Sequence, residues 1–88
     1  MSEMYAPIPH AVIFSRNLTD KAKVLYMYLA GRRHEREWVP QTDIADDMGW
    51  TSTTMKSHID LLLNEGFMDK QKRDSSNANY YRLVDRGN

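Results

Sequence analysis

Leu18, Ala22, Leu25 and Leu29 recur at i, i+4, i+7 and i+11, the repeat of one buried helix face. Thr19 is placed to cap that helix, Asp20 suits its positive end, and Gly31 with Arg32 and Arg33 suits its close. Upstream, the prolines of Pro7-Ile8-Pro9 fix φ and predict an extended arm. The apolar stretch His10–Phe14 is expected to turn and lie against the body. Glu37-Trp38-Val39 is a short strand candidate. Pro40 opens a second helix, at a position where its missing N–H costs nothing, with Ile44, Ala45 and Met48 inward and Gly49 at the end. Thr51 caps a third helix running to about Glu65, whose inward face is Met55, Ile59 and Leu62 and whose stop is Gly66. Two strands follow, Phe67–Lys72 and Tyr80–Val84, joined by the polar turn chemistry of Arg73 to Asn79. The order is helix, strand, helix, helix, strand, strand. It predicts an α+β domain over residues 16–86 behind an N-terminal arm of residues 1–15.

Composition narrows what such a domain does. Hydrophobic residues make up 41% of the 88, enough for a folded core and for one domain only. There is no Cys, so a disulfide framework, thiolate metal sites and cysteine nucleophiles are out of reach. No apolar run approaches the ~20 residues of a membrane span. Met1-Ser2-Glu3-Met4 lacks the basic and apolar stretches of a signal peptide, so a cytoplasmic protein without membrane contact is expected. His10, His34 and His58 match no metal-binding spacing, and nothing resembles a nucleophile with its base or a phosphate-cradling Gly loop. Neither a metal, a cofactor nor an enzyme activity is expected.

Charge points in two directions. The 12 Lys+Arg balance 12 Asp+Glu, whereas phosphate contact rewards a basic surface. The distribution is uneven, however. Residues 21–36 carry Lys21, Lys23, Arg32, Arg33 and Arg36 against Glu35, a local +4. Residues 41–50 carry Asp43, Asp46 and Asp47 and no base, a local −3, and residues 69–86 hold a local +2. The expectation is a dipolar molecule, with basic segments flanking an acidic helix whose carboxylates form a solvated face.

Residues 41–60 hold the informative motif. A helix-turn-helix needs a small residue where its helices meet, a Gly whose positive φ makes the turn, and apolar residues locking the pair. Ala45 is small, Gly49 follows four residues later, and Met55 supplies the lock six residues further on. Ile44, Met48 and Trp50 complete the wedge. Asp43-Ile44-Ala45-Asp46-Asp47-Met48-Gly49-Trp50-Thr51 resembles the x-L-A-x-x-L-G-V-S of winged helix-turn-helix proteins. Thr54-Met55 is similar to their T-V, and Ile59-x-x-Leu62-x-x-x-Gly66-Phe67-Met68 to their L-x-x-L-x-x-x-G-L-I. Leu18-Thr19-Asp20-Lys21-Ala22-Lys23 resembles the L-S-x-x-A-K that opens the first helix in such domains of phage and plasmid replication initiators, and Tyr80-Tyr81-Arg82-Leu83 their closing strand. Two positions depart from the pattern: His58 stands where an apolar residue is usual, with Ile59 beside it able to take the core position, and Pro40 where a Ser cap is common.

The resemblance implies a winged helix-turn-helix, a three-helix core with a small antiparallel sheet as the wing, that binds double-stranded DNA. The helix from Thr51 would be the recognition helix, with Ser52, Thr53, Lys56 and Ser57 toward the major groove, joined by Gln41 and Thr42 at the start of the second helix. Lys70, Lys72, Arg73, Asn77 and Asn79 would grip phosphates beside the wing, with Arg32, Arg33 and Arg36 as further phosphate contacts. The implied role is transcriptional regulation or replication initiation. A second function also fits: a winged-helix protein–protein interaction adaptor, favoured by the zero net charge and the acidic helix. Leu61 points about 200° from Ile59 at 100° per residue, so it is expected to be exposed. Leu61 and Tyr5 are the candidate contacts for a protein partner or for a homodimer.

Overall fold

The computed structural model describes residues 9–33, 35–73 and 78–84. Seven elements follow in order: α1 (His10–Ile13), α2 (Asp20–Arg32), β1 (Val39–Pro40), α3 (Gln41–Met48), α4 (Ser52–Asn64), β2 (Met68–Arg73) and β3 (Ala78–Leu83). The three strands form one antiparallel sheet in the order β1-β3-β2. The class is α+β and consistent with a winged helix-turn-helix. Tyr5 and Asn77 lie outside the described residues.

Local chemistry sets the helix boundaries. Thr19 Oγ1 accepts the Ala22 N–H and Thr51 Oγ1 accepts the Thr54 N–H, so α2 and α4 both start on a threonine cap. Such a cap contributes about 1 kcal/mol. Gly49, at φ 68°, closes α3, donating its N–H to the Ala45 carbonyl. Trp50 donates to the same carbonyl at 3.3 Å, and the chain reverses there into α4. Gly66, at φ 80°, closes α4: its N–H reaches the Leu63 carbonyl and that of Phe67 reaches Leu62. This paired closure turns Phe67 inward, where its ring meets Tyr26 edge-on at 6.2 Å.

Leu18, Ala22, Leu25 and Leu29 are all buried, as are Met55, Ile59 and Leu62 on α4. They share one core with Ile44 of α3, Val39 of β1 and Met68, Tyr81 and Leu83 of the hairpin. Val12 of α1 is 0% exposed, so the turn before α2 contributes to the same core.

Three expectations change. Pro40 is not the first helical residue. It ends β1 opposite Tyr80 and sits before α3 with φ −69° and ψ 148°. A proline φ suits both states, and at the end of an edge strand its missing N–H leaves no ladder bond unmade. The short strand is Val39–Pro40 instead of Glu37–Val39, while Trp38 lies beside it, half-buried under the Arg82 guanidinium at 4.7 Å. Leu61 is not exposed: it is half-buried and packs on the core, as does Leu63. α4 is enclosed by α2, α3 and β2, so its covered arc is wider than a single stripe.

Candidate nucleic-acid interface

The Thr51 cap and the buried stripe on α4 together decide what its opposite face presents. With Met55, Ile59 and Leu62 inward, Ser52, Thr53, Lys56, Ser57 and Asp60 are left exposed. The first turn of α4 carries no acidic residue, unlike that of α2 with Asp20 or α3 with Asp43. Its unpaired N–H groups and positive dipole end therefore meet no internal counter-charge, which favours an incoming anion.

The orientation of α4 is held from both sides. His58 Nδ1 lies 2.9 Å from Thr19 Oγ1, and its ring packs 5.2 Å from that of Trp50. Thr19 Oγ1 also accepts the Ala22 N–H, so the α2 cap and the His58 ring share one hydroxyl. Burial and the nearby Lys21 ammonium both lower the His58 pKa, favouring the neutral ring. The polar residue at an apolar position of the motif thus joins the α2 cap, the turn and the recognition-type helix.

Register explains the wing. Lys70 stands opposite Tyr81 and Lys72 opposite Asn79, so these four share the face that begins at the buried pair Met68 and Leu83. The helix-facing side of the hairpin therefore carries Lys70 and Lys72, both exposed, outward from the core. Gln41 binds this side to α3: its Oε1 accepts from Asn79 Nδ2 at 3.3 Å and from the Tyr81 hydroxyl at 3.4 Å. The Tyr81 phenol is pushed up by burial first and by the Asp60 carboxylate second. The other side of the sheet is neutralised internally, with Arg82 paired to Glu37 and, at 3.3 Å, to Asp69.

The fold brings together the start of α3, the exposed half of α4 and the inner side of the wing. Thr42 is exposed at the first of these; Gln41 and Asn79 are half-buried and bonded to each other. Arg73 is the last residue of β2. The arginines at the end of α2 are placed differently from the flanking patch expected for them. Arg32 holds Asp47 at 2.9 Å, Glu35 at 3.3 Å and Asp43 at 3.5 Å, and Arg36 reaches Asp43 at 3.3 Å. The Tyr28 hydroxyl also donates to Asp47, and burial together with that bond pushes its pKa up to about 12. Asp43 and Asp47 are thus ion-paired rather than a solvated face, because α2 and α3 pack with these residues toward each other. Arg33 is exposed at the C-cap of α2. Asp60 was the site residue that sequence pattern passed over, although its i+4 spacing from Lys56 puts both on one helix face.

Among the described residues, no helix is long and apolar enough to cross a membrane. No curated protein and no solved structure matches the chain. A family profile described as a helix-turn-helix domain matches residues 16–68, from just before α2 through the two capped helices and their glycine turn to the first residue of β2. With the geometry of that turn and well over half of the 88 residues covered, the chain belongs to the helix-turn-helix domain family.

Proposed function

We propose that the domain binds double-stranded DNA in a sequence-specific manner, with the N-terminal half of α4 in the major groove and the β2–β3 hairpin on the adjacent phosphate backbone. The observation that carries this reading is the two-faced character of α4: Met55, Ile59 and Leu62 are committed to the core, and the other side leaves Ser52, Thr53, Lys56, Ser57, Asp60 and Asn64 exposed. Helix-turn-helix domains use the corresponding surface of their second helix to reach base edges. Lys56 is suited to a guanine edge or a phosphate, and the hydroxyls to base or backbone oxygens. Lys70 and Lys72 on the helix-facing side of the wing, with Arg73 at its end, are suited to phosphates. Thr42 and the Nε2 group of Gln41 extend the contact to the start of α3.

The internal pairing of Arg32 and Arg36 with the acids of α3 supports the same reading in spite of zero net charge. Two carboxylates of the acidic helix are satisfied within the fold, so the positive groups of α4 and the wing face DNA with less opposition. The role that fits is occupancy of a defined site, as in transcriptional regulation or replication initiation. Selection from genomic fragments with purified protein, followed by footprinting at defined salt, tests this. A protected site of defined sequence whose affinity falls steeply with salt is expected. Binding indifferent to both salt and sequence, or selection of no fragment, would refute it.

A further inference from the structure

We infer that Asp60 selects the base sequence: its carboxylate accepts a hydrogen bond from a cytosine amino group in the major groove and disfavours duplexes that lack one there. The inference rests on the DNA-binding reading and sharpens it, from a defined site to the identity of one base within that site. Met55, Ile59 and Leu62 fix the direction of the buried side of α4. At 100° per residue, Asp60 lies about 100–160° from these three, whereas Lys56 lies about 60–120° from them. Asp60 is also about 20° from Thr53, 40° from Lys56 and 60° from Ser57. The carboxylate is therefore nearer the middle of the exposed face than the lysine is, and all four residues are exposed. A duplex that reaches Lys56 along this face also meets Asp60.

The acids of α3 and the sheet have partners within the fold. Asp43 and Asp47 are held by Arg32, and Glu37 and Asp69 by Arg82. Among the described residues, no cation lies within ion-pair distance of Asp60, Lys56 included. A carboxylate set against a polyanion is repelled by phosphate, and it loses hydration without return unless a donor meets it. The base edges of the major groove offer two donors, the N4 amino group of cytosine and the N6 amino group of adenine. Adenine sets its N7 acceptor beside N6, which opposes a carboxylate, whereas cytosine presents its amino group alone. Guanine and thymine present only acceptors there. Cytosine is the base that fits.

Lys56 and Asp60 then read the groove with opposite senses. Four residues of helix rise about 6 Å, close to two base-pair steps of about 3.4 Å each. For a helix lying along the groove, the lysine meets a guanine edge and the carboxylate a cytosine roughly two steps away. The hydroxyls of Ser52, Thr53 and Ser57 both donate and accept, and Lys56 binds phosphate as well as guanine. These groups tolerate many sequences. Asp60 accepts without donating, so a wrong base opposite it is penalised rather than merely unrewarded.

Selection from a randomised duplex library by the full chain, run in parallel on wild type, Asp60→Asn and Asp60→Ala, tests this. The wild type should return a motif with cytosine at one position, and binding should weaken about tenfold when another base stands there. Asp60→Asn should return adenine at that position, because an amide bonds N6 and N7 together, and keep the rest of the motif. Asp60→Ala should lose preference at that position alone and bind an unrelated duplex more tightly, since a like charge has gone. Both variants should keep the wild-type unfolding midpoint, the position being exposed. A wild-type motif that both variants reproduce unchanged would overturn the inference and leave the DNA-binding reading standing. Affinity lost equally at every position would overturn it as well, and assign Asp60 to the shape of the fold. A wild type that selects no sequence would overturn the DNA-binding reading, and this inference with it.

Discussion

Replacing Lys70 and Lys72 together with Gln removes two positive charges from the helix-facing side of the wing. Both are exposed, and their ladder bonds to Tyr81 and Asn79 are made by the backbone, so folding should change by no more than ~0.5 kcal/mol. If each lysine neutralises one phosphate, each contributes about 0.9 to the slope of log affinity against log salt. The double variant should then lose about 1.8 from that slope. Across a fourfold salt change, from 50 to 200 mM, each contact corresponds to roughly a 3.5-fold change in affinity and the pair to about twelvefold. The variant should therefore bind much more weakly than wild type at low salt, with the gap narrowing by about twelvefold at the higher salt. Fluorescence anisotropy on a labelled duplex at four or five salt concentrations measures this, with an unrelated duplex as control. The loss should be nearly equal on both sequences, because phosphates carry no base identity. An unchanged slope would refute the placement of these lysines on the backbone. A loss confined to the selected sequence would move them from phosphate to base.

Three further outcomes are expected. Lys56→Ala should cost about 1–3 kcal/mol on the selected site and relax preference at one base position, read by anisotropy on single-substituted duplexes; unchanged affinity in a folded variant removes Lys56 from the interface. Gly49→Ala should lower unfolding stability by about 1–2 kcal/mol in a denaturant titration, and purely through the left-handed backbone, since the new Cβ would meet nothing within 4 Å; a neutral result would mean the turn relaxes. His58 should make stability fall on acidification, because its pKa is lowered by burial and Lys21. The unfolded chain then binds the proton more readily, so the contribution is present above the unfolded value near 6.5 and is lost as pH drops through the folded one. His58→Gln should flatten the part of the stability profile just below neutrality, and a profile that keeps its slope would assign it to other groups.

The exposure of Phe14, Val24 and Met27 bears on what surrounds such a domain. Val24 and Met27 lie on the side of α2 that points away from α4, so a contact there leaves the proposed DNA surface open. Contact through Leu61 would have been different in kind. That residue sits on α4 itself and is half-buried against the core, so a partner would have had to displace packing to reach it.

Sequence by itself determined the parts of this protein that depend on neighbours within about four residues. The Thr19 and Thr51 caps, the glycine closures at Gly49 and Gly66 and the buried rows of α2 and α4 are all of this kind. Each is a hydrogen bond or a periodicity within one helix turn, and each was legible. The tertiary structure alone decided what lies across gaps in the chain. Arg32 is 15 residues from Asp47 and Thr19 is 39 from His58, so neither pairing leaves a mark in local pattern. Gln41 reads as a surface residue at a helix start until β3 arrives beside it and turns its amide into the joint between α3 and the wing. Lys70 and Lys72 read as wing bases suited to phosphates, and only the β2–β3 register puts both on the helix-facing side. Leu61 reads as outward because a helical wheel assumes one covered face, and three neighbouring elements cover more than one. The caps and rows build the scaffold, and the packing of those elements against each other sorts which charges remain available at its surface.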